Sequence, residues 1–216
     1  MQALLLGSIG VVVETSELQR QAYNMAFAEH GLDWYWSVGN YCEMLKAPGG
    51  MKRLSAFSNG KLSDELLFKI HETKQNCFET LLDNGIKPRP GVAECLNYCF
   101  GENIKVAFVT TTTRRNIQIL ESSLSKYIDF KQFNLITTKQ DVVNEKPSSE
   151  IYRFALQTLN VKARDSIAIE DTEVNQEAAL EAEILCYLYA GEYTATKHNI
   201  NLIKSLDIIS RELNVG

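Results

Sequence analysis

From residue 91 onward, short apolar runs alternate with amphipathic segments, and that alternation decides the fold class. The runs are 105–109, 133–137, 165–170 and 184–189. The segments 91–100, 113–123, 148–159 and 173–182 carry helical spacing. Strands joined through helices of that length run parallel, because a tight hairpin turn would be enough only for an antiparallel pair. Continuous apolar runs are buried on both faces. The apolar run 2–6 adds one more strand. The prediction is an α/β, Rossmann-like core: a parallel sheet with helices on both faces.

Between the first strand and the rest lies a block of a different kind. Leu18, Ala22, Met25, Ala26 and Leu32 recur at helical spacing, and Gly31 closes that segment. Further helices are predicted at 37–46, 50–58 and 63–84. Ser63 is the N-cap of the last, and Asn84-Gly85 is its end. The breaker cluster 86–91 then returns the chain to the core. The expected organisation is a core of 1–14 and 87–216 with an inserted helical cap of 15–86. A ligand site is expected at the carboxyl ends of the strands.

Bulk properties exclude several functions. A formal net charge of −5 over 216 residues offers no electrostatic footprint for nucleic acid or an anionic membrane. The longest apolar stretch, 3–13, is interrupted by Gly7, Ser8 and Gly10 and lacks a basic leading segment. Neither a membrane span nor a signal peptide is expected. Five cysteines, an odd number, make no disulfide framework. Cys95 and Cys99 read as small buried apolar side chains. Zinc would need three or four ligands, and His30, His71 and His198 are all distant in sequence. A reducing, cytoplasmic compartment is expected.

The chemistry-bearing residues fall where strands end. Thr110-Thr111-Thr112 follows the run 105–109, and a hydroxyl there can donate to a phosphoryl oxygen beside the first N–H groups of the next helix. Lys146-Pro147 precedes the helix at 148–159. Glu170-Asp171 closes 165–170, a costly pair in apolar surroundings unless a cation is near. The first strand ends in Gly7-Ser8-Ile9-Gly10-Val11-Val12-Val13-Glu14-Thr15.

In this order the four segments resemble the four motifs of the haloacid dehalogenase superfamily, whose first is Asp-x-Asp-Gly-Thr/Val-Leu-x-Glu/Asp-Thr. Gly10, Glu14 and Thr15 keep its frame. Gly31-Leu32-Asp33-Trp34-Tyr35-Trp36, Tyr41-x-x-Met44-Leu45-Lys46, Gly49-Gly50-x-x-Arg53 and Arg89-Pro90-Gly91-Val92 resemble the CbbY branch. That branch comprises phosphatases of xylulose bisphosphate, related to beta-phosphoglucomutase. The resemblance implies phosphate or substrate binding by Thr110, Thr111, Lys146, Arg53 and Glu14, and Mg2+ held through Glu170 and Asp171. The branch's cap loop commonly has lysine where this chain has Met51. Its glycines are replaced by Gln176 and Glu183, which suggests relaxed loops.

The same resemblance implies a loss. The motif's first aspartate is the nucleophile and its second the general acid/base; Gly7 and Ile9 stand in their places. Gly7 has no side chain and Ile9 cannot carry a proton, whereas family catalysis passes through an aspartyl-phosphate. Ser8 lies between them, but neighbours in an extended segment point to opposite faces, and no base is visible for it. Mg2+ wants near-octahedral oxygen ligation, so its site is expected to be weak or lost. Lys146, less neutralised, is expected to be free to hold phosphate without metal.

The residues favour a catalytically impaired pseudophosphatase that still binds a sugar phosphate or phosphate ion. Two alternatives stand beside it. One is an active sugar-phosphate phosphatase, a hydrolase working by a changed route. The other is a protein–protein interaction module that retains only the fold, with Trp34-Tyr35-Trp36 as its contact; ordinary cap packing competes to explain those aromatics.

Overall fold

The computed structural model describes all residues except 47–48, 83–84, 199, 208 and 210–216. Among the described residues, β1 (Ala3–Leu6), β2 (Lys105–Phe108), β3 (Leu135–Ile136), β4 (Ser166–Glu170) and β5 (Leu185–Leu188) form a parallel sheet. Its order is β3-β2-β1-β4-β5. In register, Leu5 lies between Ala107 and Ala168. The helices are α1 (Ile9–Val12), α2 (Ser16–Glu29), α3 (Val38–Met44), α4 (Gly50–Ser58), α5 (Asp64–Leu82), α6 (Val92–Gly101), α7 (Arg114–Leu124), α8 (Glu150–Leu159) and α9 (Glu173–Glu181).

Alternation along the strands sorts side chains into two apolar layers. Leu4, Leu6, Val106, Phe108 and Ile169 pack with Cys95 and Cys99 of α6 and with Ile117 and Leu120 of α7. Leu5, Ala107, Val109 and Ala168 pack on the other face with Ile151 and Ala155 of α8 and Ala178 and Ala179 of α9. The two cysteines are thus core residues, and the hydrogen bond with Cys99, together with burial, pushes the Cys95 thiol upward.

The chain divides into two units: Met1–Glu14, Ile86–Gly191 and Thr196–Gly216; and Thr15–Gly85 with Glu192–Ala195. The segment 192–195, assigned from sequence to the core, clusters with the helical unit. Tyr193 donates to Glu17 at 2.5 Å and meets the Tyr41 ring edge-on. Within this second unit Tyr23, Phe27, Trp36, Tyr41, Leu54 and Ile70 form the core. Trp36 is fully buried, 4.4 Å from the Tyr23 ring, and Trp34 packs edge-on against Phe27 and Phe57. Only Tyr35 of that aromatic trio is exposed, at 65%. Packing therefore accounts for Trp34 and Trp36. Ser63 caps α5, accepting from the Leu66 amide at 3.3 Å; Asn84, the expected end, lies outside the described residues. No helix among the described residues is long and apolar enough to cross a membrane.

Lys74 is buried in the second unit, donating to Gln75 at 2.8 Å and to Gln19, and lies 5.1 Å from the Tyr23 ring centre. Burial, with the charge of Arg53 adding to it, pushes its pKa from 10.5 down to about 7. Between those values the unfolded chain binds the extra proton, so stability rises with pH across that window and is lowest below it. Lys74→Met is expected to raise stability at pH 6 by on the order of 2–4 kcal/mol and to flatten the rise. Urea midpoints at pH 6 and pH 9 check this; equal native midpoints would contradict it.

Candidate functional site

The carboxyl ends of β2, β1 and β4 lie side by side, and three oxygens there converge on one ammonium. Lys146 donates to the carbonyls of Gly7 and Val109, the latter at 2.8 Å, and to Glu170 Oε1 at 2.5 Å. An ammonium has three N–H donors, so Lys146 is saturated. Tyr152 Oη donates to the same Oε1 at 2.6 Å, and the Asp171 amide donates to Oε2 at 3.3 Å. Both members of the ion pair are buried, Glu170 completely. Burial drives the Glu170 carboxyl upward, against the pull of Lys146. Burial also holds Tyr152 well above the ordinary phenol value, which keeps its hydroxyl a donor.

Gly7 is where this cluster closes. A Cβ built on it would fall 2.1 Å from Glu170 Oε1 and 2.3 Å from Tyr152 Oη. The space a side chain at position 7 would enter is filled by Glu170 and Tyr152. Gly10 repeats the arrangement: its Cβ would fall 2.1 Å from Asp171 Oδ2. Ile9 opens α1 and packs against the apolar layer that contains Leu6 and Phe108. Ser8 Oγ is buried and has no hydrogen-bond partner among the described residues, so nothing there activates it as a nucleophile.

Sequence alone leaves Lys146 short of counter-charge; in the structure Glu170 supplies it. Tyr152, not singled out from sequence, is part of the cluster. Its signal was the position itself, on the helix that follows Lys146-Pro147. Arg89 was also missed. It donates to Gly10 O at 2.6 Å, Tyr189 O at 2.7 Å and Ala190 O at 2.6 Å, with its guanidinium 3.4 Å from the Tyr189 ring centre. This grip fixes the loop after β1.

The remaining predicted residues are placed as follows. The Thr110 amide donates to Thr137 Oγ1 at 2.9 Å, and Thr110 Oγ1 accepts from the Thr112 amide at 3.2 Å. Thr111 lies half-buried beside it, ahead of α7, which Thr113 caps. Glu14 follows α1 at the edge of the first unit. Arg53 belongs to the second unit, where its Nε donates to Met44 O at 3.0 Å and its guanidinium lies 5.5 Å from the Tyr41 ring centre. Gln176, expected in a relaxed loop, lies within α9, and Glu183 follows that helix. Gln176 is buried and donates to Cys186 O and Ile200 O. Glu183 adopts φ 61°, the left-handed turn that glycine makes without steric cost.

Haloacid dehalogenase-like proteins generally use Mg2+, and the residues here do not fit it. Gly7 contributes no carboxylate, and Glu170 is engaged by an ammonium and a phenol. A dication beside Glu170 would meet Lys146 at hydrogen-bond range, a poor offer for an ion that wants near-octahedral oxygen ligands. No group of three His, Cys, Asp or Glu suited to a metal occurs among the described residues.

A parallel sheet with this strand order, with threonines after β2, a Glu-Asp pair at the end of β4 and a lysine just ahead of α8, defines a Rossmann-like α/β core. The profile of the haloacid dehalogenase-like hydrolases matches residues 10–188, and the chain belongs to that family. The matched span begins just after Gly7 and Ile9.

Within the family it is similar to CbbY proteins. It is 33% identical over 198 residues to protein CbbY of Cereibacter sphaeroides, covering 90% of this chain and 86% of that protein. A crystal structure of a CbbY variant from Rhodobacter sphaeroides in complex with xylulose-(1,5)bisphosphate matches with TM-score 0.85 at 31% identity, over 95% of this chain and 94% of that one. The phosphorylated carbohydrates phosphatase of Thermotoga maritima is 30% identical over 187 residues, covering 85% of this chain and 82% of that protein.

Proposed function

We propose that this chain is a CbbY-type protein that has lost phosphoryl transfer and keeps a sugar phosphate as its ligand. One observation carries the loss: at position 7, where the resemblance puts the nucleophile, there is no side chain, and Glu170 fills the space. Without a nucleophile the covalent route is gone. Ile9 removes the general acid as well, a further factor of roughly 10²–10⁴. The ligand class rests on the relatives, one solved with xylulose bisphosphate and one named for phosphorylated carbohydrates. Thr110, Thr111 and Glu14 are the groups of the first unit proposed to contact it; the first unit is proposed as the core and the second, which carries Arg53, as the cap. Five free thiols suit a reducing cytoplasm.

The test is phosphate release from a panel of sugar phosphates in Mg2+, paired with calorimetry of xylulose bisphosphate binding. The expected result is no release above buffer and a binding signal weakened by Thr110→Ala. Enzyme-like turnover would overturn the loss of catalysis. Absence of binding across the panel would overturn the ligand.

A further inference from the structure

We infer that Glu170 is this chain's internal substitute for the carboxylate missing at position 7, and that it closes the former phosphoryl pocket to Mg2+ and to phosphate. The inference rests on the reading that phosphoryl transfer is lost, and it adds where a ligand cannot be held.

The charge balance supports it. One buried ammonium faces one buried carboxylate at 2.5 Å, and the other two ammonium donors end on the carbonyls of Gly7 and Val109. A phosphate arriving at Lys146 must take a donor from Glu170 and then sit against that carboxylate in surroundings that weaken neither charge. A magnesium ion must displace the ammonium instead. Shape supports it too. The carboxylate and the Tyr152 hydroxyl occupy the volume that opens above Gly7, and Tyr152 holds the carboxylate there at 2.6 Å. Any sugar phosphate this protein holds is therefore anchored by groups other than Lys146.

Removing Glu170 should reverse the situation. Glu170→Ala leaves a buried ammonium without a counter-ion beside an empty volume, which is a site for a small oxyanion. Inorganic phosphate and Mg2+ are the probes, read by calorimetry and by thermal unfolding, since a ligand that binds only the folded state raises the melting temperature. Native protein is expected to show no Mg2+-dependent shift, and any phosphate binding it has is expected to survive Lys146→Ala. Folded Glu170→Ala is expected to bind phosphate at least about tenfold more tightly than native protein. The gain should vanish in Lys146→Ala/Glu170→Ala.

Native protein that binds Mg2+, or phosphate through Lys146, would overturn the inference, as would a folded Glu170→Ala with no gain. The titrations of native protein need no variant to fold. They are also independent of the turnover assay: a silent enzyme that binds Mg2+ refutes this inference alone, whereas turnover refutes the loss of catalysis.

Discussion

Gly7→Asp is expected to destabilise the protein by on the order of 3–5 kcal/mol and to restore no phosphatase activity. The new Cβ would lie 2.1 Å from Glu170 Oε1, far inside the 3.0 Å that real Cβ contacts respect. Glu170 has no exposed direction in which to move, because it is wholly buried and held by Lys146 and Tyr152. Were room made, two carboxylates would share a single ammonium, and like charges that close cannot both stay ionised. Adding Ile9→Asp supplies an acid without clearing the nucleophile's space. The paired variant Gly7→Asp/Glu170→Ala should recover most of the lost stability, since it exchanges one buried carboxylate for another near the same lysine. Urea denaturation of the two singles and the double, read as a double-mutant cycle, measures the coupling. Strict additivity would show that Glu170 and position 7 do not compete.

Lys146→Ala is expected to cost about 3–5 kcal/mol, because it strands a buried carboxylate. Two carbonyls, of Gly7 and Val109, lose their donor at the same time, and these lie at the ends of β1 and β2. Replacing both charges with apolar side chains, as in Lys146→Met/Glu170→Leu, should cost far less, since the expense lies in the unpaired charge rather than in the volume removed. Urea denaturation of both variants decides the matter. If the double loses as much as the single, packing and the carbonyl contacts dominate and the ion pair contributes little.

Much of the fold was legible because its signals are local. The runs at 105–109 and 165–170 became β2 and β4 within a residue at their ends, and 50–58 became α4 unchanged. What failed was local conflict or distant contact. Ile9–Val12 forms a helical turn although Val11, Val12 and Val13 favour strand, because sheet pairing stops at Leu6 and Arg89 holds the Gly10 carbonyl. At the candidate site, the Glu-Asp pair could be named from its place at the end of a strand and the lysine from its place ahead of a helix. Their mutual neutralisation could not. It depends on β4 lying beside β1 and on how far a glutamate reaches once position 7 has no side chain. Gln176 was read as a missing glycine, and its hydrogen bonds to Cys186 and Ile200 exist only after folding.

The central place of β1 has a consequence for how the protein is made. It precedes both of its partners in the chain, which start at Lys105 on one side and Ser166 on the other. Until β2 has been made it is an apolar segment with both edges bare, one edge stays bare until β4 follows, and loop closures over such distances are slow. A chain interrupted before residue 166 would keep one edge of β1 open to pairing with another copy. The growing chain therefore depends on what shields that segment until β4 has been made.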